Sequence, residues 1–284
     1  MTRSILFVPA DSLRKFERAS AGNADALVLD LEDSVAPDTK PAARGIVREM
    51  LQKGAGAKHL WVRVNPLDTP WTAEDLAAAI PGKPYGIFLP KSRTGDDVRK
   101  ASAMLDEAER AAGVPVGHTK ILPIATELGA AMFGLGTYAG CSPRLWGLTW
   151  GAEDLAADVG TLANRIGGRY TEPFRLARSL CLFGAAAAGV HAIDTVCIDL
   201  DNDQVVADES AEARRDGFTG KMAIHPKHID PINAAFTPSA EEVAWAKKIV
   251  EAFAANPNIG AFRLDGKMID RPHLRAAKRV LGQA

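Results

Sequence analysis

The segment LTWGAEDLAAD (148–158) runs from a nearly apolar stretch into a glycine, Gly151, and then into two adjacent carboxylates, Glu153 and Asp154. It reads as a strand that turns directly into a helix. Acids suit the first turn of a helix, because free N–H groups and the helix dipole favour negative charge there. The same junction also delivers carboxylates to the end of a buried strand, where a barrel enzyme keeps its chemistry. The rest of the chain decides between a plain helix start and a site.

Working outward, β-branched apolar runs recur: SILFVPA (4–10), ALVLDLED (26–33), HLWVRVN (59–65), GIFLPK (86–91), KILPIAT (120–126), RLWGLTW (144–150), AIDTVCID (192–199) and KMAIHP (221–226). Continuous rather than alternating apolar character implies strands covered on both faces, as in parallel sheets. Helical patterns lie between or after them: 94–113, opening with acids; 173–189, apolar enough to be packed; and 239–256, with a Ser cap followed by acids. Eight strands alternating with helices predict a (β/α)8 TIM barrel over residues 1–236, a fold that usually takes about 250 residues. A doubly wound open sheet would want a phosphate-binding glycine loop after its first strand, and VPADSLRKF has none. GLGTYAG (134–140) has the wrong spacing for that loop and follows a helix pattern rather than a strand.

Residues 237–284 exceed what a barrel needs. After the 239–256 helix, Asp265-Gly266 within AFRLDGKMID (261–270) is a hairpin turn signal, and a basic helix follows over roughly 271–282. This tail reads as a C-terminal arm, folded over its own barrel or lent to a neighbour.

Lys and Arg number 34 against 35 Asp and Glu, for a net charge of −1. That balance argues against a nucleic-acid or membrane-surface binder. Cys141, Cys181 and Cys197 form no CxxC spacing, so neither zinc nor a disulfide framework is indicated. The N-terminus has no secretory apolar core, and the least polar stretch, 180–190, is too short to span a bilayer, so a cytoplasmic protein is expected.

The polar residues fall at strand ends: Asp30, Glu32 and Asp33; Arg63 and Asn65; Lys91; Thr126-Glu127; Glu153-Asp154; Asp194 and Asp199; His225. Carboxylates gathered from separate strands repel unless a cation compensates, which points to a hard divalent ion. Glu127 and one of Glu153 and Asp154 are the expected ligands, the other acid bracing the helix start. Arg63 suits either a structural counter-ion or a grip on a carboxylate or enolate oxygen. Asp30 and Glu32 read as bracing Arg63 or a metal's water rather than as ligands. Lys91 is a Schiff-base candidate, but that chemistry needs a lowered pKa and an acidic rim raises it. His225 and His228 are separated by Pro226 and lack helical metal-pair spacing.

The stretches RSILFVPA, ALVLDLEDSV, WVRVN, FLPKS, TELGA, WGAEDLAAD, GFTGKMAIHP and LDGKMID, in this order over nearly the whole chain, resemble the citrate lyase β-subunit-like branch of the HpcH/HpaI aldolase superfamily, similar to malyl-CoA and citramalyl-CoA lyases. The resemblance implies a TIM barrel, a homotrimer or dimer of trimers, and Mg²⁺-dependent (or Mn²⁺-dependent) making or breaking of a C–C bond in an acyl-CoA. By residue match, Glu127 and Asp154 resemble the metal ligands and Glu127 also a substrate contact. Arg63 resembles the arginine that holds substrate and stabilises enolate charge. Asp270 resembles the acid/base residue, supplied by the arm of an adjacent subunit. Arg14 and Lys15, or the 221–227 stretch, are candidates for the CoA phosphates. The expected reaction cleaves a 3-hydroxy-3-carboxyacyl-CoA to acetyl-CoA or propionyl-CoA and a 2-oxo acid. Two other readings stand beside it: a Schiff-base aldolase using Lys91, and a CoA-ester-binding barrel or lyase subunit that turns over only with an acyl-carrier partner.

Overall fold

The computed structural model describes residues 2–257 and 259–283. Eight parallel strands build the first compact unit, Thr2–Phe236. They are β1 (Ser4–Pro9), β2 (Ala26–Asp30), β3 (His59–Arg63), β4 (Gly86–Leu89), β5 (Lys120–Pro123), β6 (Gly147–Thr149), β7 (His191–Asp194) and β8 (Gly220–Ala223). Their order is β5–β4–β3–β2–β1–β8–β7–β6. The two ends meet: Ile121 bridges to Leu145 and Ile124 to Thr149, both parallel, which closes the sheet into a TIM barrel. Helices cover the outside: α1 (Leu13–Ser20), α2 (Lys40–Lys53), α3 (Thr72–Ala79), α4 (Gly95–Ala112), α5 (Ala152–Val159), α6 (Glu172–Ala188), α7 (Asp203–Asp216) and α8 (Ile229–Phe236).

The apolar runs explain the layers. All five residues of β2 are buried, because alternate side chains serve two cores. Ile5, Val28, Trp61, Phe88, Leu122, Ile193 and Met222 fill the barrel, while Leu27, Leu29, Val62, Ile87 and Ile121 pack outward against helices. Trp61 is the largest plug, and Gly86 makes room for it: a Cβ there would lie 2.3 Å from the indole ring.

Two connections depart from the expected pattern. Between β5 and β6 the anticipated helix is replaced by 3-10 turns at Gly129–Phe133 and Leu135–Tyr138. Glycines at 129, 134, 136 and 140 make a continuous α-helix costly there. After α5, two-residue strands Arg165–Ile166 and Arg169–Tyr170 pair antiparallel around Gly167-Gly168, a hairpin turn that adds to the barrel's strand–helix alternation.

From Thr237 onward the chain forms a second compact unit. It contains α9 (Ala240–Ala255), the hairpin β9 (Ala261–Leu264) and β10 (Lys267–Asp270), and α10 (Arg271–Val280). Its own small core is Ala246, Ile249, Phe253, Ile269 and Ala277. Capping boxes start both helices, Ser239 with Glu242 and Asp270 with His273. No helix among the described residues is long and apolar enough to cross a membrane.

Candidate active site

Asp30 and Arg63 are register neighbours at the ends of β2 and β3, so their side chains meet over the barrel interior. Arg63 Nε and Nη2 donate to Asp30 Oδ1 and Oδ2 at 2.7 and 2.8 Å, a two-pronged grip. Its Nη1 lies 2.7 Å from Glu32 and 3.3 Å from Asp33. Burial works against the guanidinium charge, but Asp30, Glu32 and Asp33 outweigh it and hold Arg63 above its ordinary pKa. The same pairing keeps Asp30 below the usual carboxylate range despite burial. Phe7 packs beneath, 5.0 Å from ring centre to the guanidinium carbon.

Beside this pair the chain makes a strained turn. Lys91, just past β4, takes φ +54, which costs a residue with a Cβ. That turn aims its N–H at Glu127 Oε2, 2.5 Å away. Its Nζ lies 2.5 Å from Asp154 Oδ1, 3.4 Å from Glu32 and 3.8 Å from Glu127. Three carboxylates that follow β2, β5 and β6 in the chain thus converge on one cationic point. Burial pushes Glu127 up to about 8 and Glu32 up to about 7, with neighbouring acids adding to the effect. Burial alone would lower Lys91, but those carboxylates raise it above an ordinary lysine. A lysine held protonated by three acids is a poor Schiff-base nucleophile.

Gly151 and the two acids behind it now have separate parts. A Cβ on Gly151 would lie 2.8 Å from Glu127 Cγ, so the bare turn lets Glu127 stand against it. Asp154, in the first turn of α5, faces Lys91. Glu153 instead accepts from Asn164 Nδ2 at 2.9 Å and braces the following loop. Trp150, just before the turn, donates from Nε1 to Asp194 Oδ1 at 2.7 Å.

That contact corrects the expected rim. Asp194 is not at the mouth: it points into the helix layer, where Lys221 Nζ at 2.8 Å and Arg178 Nε at 3.2 Å hold it. Lys221 is fully buried in this cluster, so it drops out as a phosphate contact. Asn65 likewise turns outward, to Asp75 and the Leu31 carbonyl. Asp199 lies beyond β7 in an exposed turn, accepting from the N–H groups of Asp201 and Asn202. His225 caps a 3-10 turn, and buried His228 bonds the Asp199 carbonyl, so neither ring is presented as a ligand pair.

A cavity of about 250 Å³ opens over this centre, lined by Phe7, Asp30, Arg63, Ile124, Glu127, Asp154, Val196 and Met222 among others. A second, about 650 Å³, shares Phe7, Pro9 and Ile224 with it and extends to Lys15, Arg18, His225 and Lys227. Arg14 does not line it. Asp270 lies in the second unit, half-exposed, where His273 Nδ1 at 2.5 Å holds its carboxyl below the usual range.

The sequence matches the model of HpcH/HpaI aldolase/citrate lyase over residues 3–226. The chain belongs to that family. A second match, C–C bond lyase of the TIM-barrel fold, covers residues 174–284. The chain is 36% identical to citrate lyase subunit beta of Escherichia coli K12, over 99% of this chain and 93% of that one. It is 32% identical to a (3S)-malyl-CoA thioesterase of Cereibacter sphaeroides, over 99% and 94%. Among solved structures, CitE from Mycobacterium tuberculosis, in complex with magnesium, acetoacetate and coenzyme A, superposes with a TM-score of 0.79 at 31% identity, covering 99% of this chain and 97% of that one.

Proposed function

We propose that this enzyme cleaves a 3-hydroxy-3-carboxyacyl-CoA of the citryl, malyl or citramalyl type with the help of Mg²⁺ or Mn²⁺. The observation that carries the reading is the convergence of Glu32, Glu127 and Asp154 on one cationic point beside Arg63. Among the described residues no set of three His, Cys, Asp or Glu side chains forms a complete metal cage. Mg²⁺ does not require one, since it commonly takes one or two carboxylates and fills its shell with water and substrate oxygens. Glu127 and Asp154 would hold it, and their all-oxygen chemistry and Glu127's unfavourable buried charge fit a hard divalent cation.

When bound, the metal supplies Lewis-acid polarisation and a template for the 2-oxo acid half. The chain's own residues do the rest. The bond between carbinol carbon and thioester methylene breaks, the hydroxyl becomes a carbonyl and loses its proton, and the electron pair becomes a thioester enolate. Asp30 and Glu32 fix the Arg63 guanidinium in place, leaving part of its donor set to meet the developing enolate oxygen. Asp270, presented as a carboxylate by the arm of a neighbouring copy in a homotrimer or dimer of trimers, takes the hydroxyl proton and returns it to the enolate carbon. Lys15, Arg18 and Lys227 supply cations for the CoA phosphates along the adjoining cavity.

The test is a cleavage assay with malyl-, methylmalyl-, citramalyl- and citryl-CoA, run with Mg²⁺, with EDTA and on Asp154→Ala. Turnover lost in both controls supports the reading. Turnover indifferent to both overturns it. Turnover only on a carrier-bound thioester marks a partner-dependent subunit, and release of free CoA without net C–C cleavage marks a thioesterase.

A further inference from the structure

We infer that the 2-oxo acid released by this enzyme carries a single carboxylate and a small apolar substituent, hydrogen or methyl, an inference that rests on the lyase reading above. With the substrate written R–C(OH)(COO⁻)–CH₂–CO–SCoA, cleavage yields R–CO–COO⁻ and CH₃–CO–SCoA, and R is what the cavity must seat. One carboxylate belongs with the metal ligands. R meets the wall beside them.

That wall is apolar. The point a Gly151 Cβ would occupy lies 2.8 Å from Glu127 Cγ and 3.4 Å from Ile124 Cγ2, so an aliphatic side chain stands directly beside a metal-ligand candidate. Ile124 and Met222 are 3% and 4% exposed and pack in the barrel's inner core, with Phe7 and Val196 against it. All four line the cavity. Arg63 also lines it, but Asp30, Glu32 and Asp33 engage its Nε, its Nη1 and one Nη2 hydrogen, and the donor left over is the one that meets the enolate oxygen. Lys91 is not among the residues that line it. A carboxymethyl R would bring a second anion into a small, acid-rich space and press it against Ile124, Val196 and Met222. A buried charge facing aliphatic carbon loses far more than it gains, whereas a methyl group there gains from burial.

The experiment compares kcat/KM for malyl-CoA (R = H), citramalyl-CoA (R = CH₃) and citryl-CoA (R = CH₂COO⁻). The methyl substrate is expected about fourfold above the hydrogen one, from one buried methyl group. The citryl substrate is expected at least about 100-fold below both, from an unpaired buried charge. Val196→Arg, which adds a cation to the wall, should narrow that gap at least about tenfold by raising citryl-CoA rather than only lowering the others. A direct readout keeps the inference independent of turnover: calorimetry of pyruvate and of oxaloacetate against wild type with Mg²⁺. Tighter pyruvate supports it. Tighter oxaloacetate, or no binding of either, overturns it, as does citryl-CoA cleaved as well as citramalyl-CoA. Cleavage of none of the thioesters sinks the lyase reading instead, and the calorimetry still decides the shape of R.

Discussion

The two ends of the barrel are built on opposite principles. At the floor, where β3 and β7 begin, His59 stacks on Tyr85 at 3.8 Å, Trp61 meets Tyr85 and Trp146 edge-on at 5.1 Å each, and His191 lies 4.4 Å from Trp146. These rings fill space and hold the two histidines toward the neutral form by burial. At the mouth, Asp30, Glu32, Arg63, Lys91, Glu127 and Asp154 crowd together, and two of the acids are raised toward neutrality. One end earns stability from shape. The other holds charges whose favourable use waits on a ligand.

That contrast can be broken from the mouth first. Asp154→Ala should reduce thioester cleavage by about 10³-fold or more, the several kcal/mol a Lewis-acid site contributes, while shifting the melting temperature little. From the floor, Trp61→Ala should destabilise the fold by about 3–5 kcal/mol, read by urea melts, yet leave Mg²⁺ affinity in the folded fraction nearly unchanged.

The two raised acids at the mouth also make stability depend on pH. Glu127 and Glu32 have folded pKa values near 8 and 7 against a usual 4.5. Both carboxyls bind more protons folded than unfolded across that window, so metal-free stability is full below about 4.5 and falls as pH rises toward 8. Mg²⁺ reverses the penalty, so its stabilising effect in thermal melts should be larger at pH 8 than at pH 6. Glu127→Gln should flatten the metal-free profile.

A smaller effect lies between the two ends. Trp150→Phe keeps the ring but removes the N–H bond to Asp194 that steadies the turn into α5. Mn²⁺ affinity, followed by electron paramagnetic resonance, should weaken about tenfold, as for other groups that orient ligands indirectly. The smallest is Lys15→Ala. It should raise KM for the CoA thioester a few-fold and weaken its salt dependence, a typical loss for one exposed charge.

Much of the fold was legible because both faces of each strand are buried. ALVLDLED announces β2 without any alternation to misread, and the Ser239 and Asp265-Gly266 signals mark α9 and the β9–β10 turn by local chemistry alone. What periodicity could not carry was side-chain direction. Asp194 and Asp30 sit at equivalent strand ends, yet one faces Lys221 in the helix layer and the other faces Arg63 over the barrel. A shift of one residue in a strand exchanges those faces, and composition does not report it. The position of Lys91 among three acids was equally hidden, because it depends on a left-handed residue that no propensity favours at a lysine. Arg18 was missed because its relevance comes from the wall it shares with Lys15 and Lys227 on separate elements.

The closure between β5 and β6 has a further consequence. Elsewhere neighbouring strands pair in continuous register, but here the barrel is joined by two isolated bridges, with Trp146 N–H to the Ile121 carbonyl at 2.9 Å and Ala125 N–H to the Thr149 carbonyl at 2.8 Å. Glu127 follows one side of this seam and Asp154 follows the other. A cation shared by the two would lace the least continuous joint of the cylinder. Amide hydrogen exchange at Ile121, Ala125 and Trp146 should therefore slow on adding Mg²⁺ while amides of the β1–β2 pair hardly respond, so that occupancy of the site is recorded as breathing of the wall.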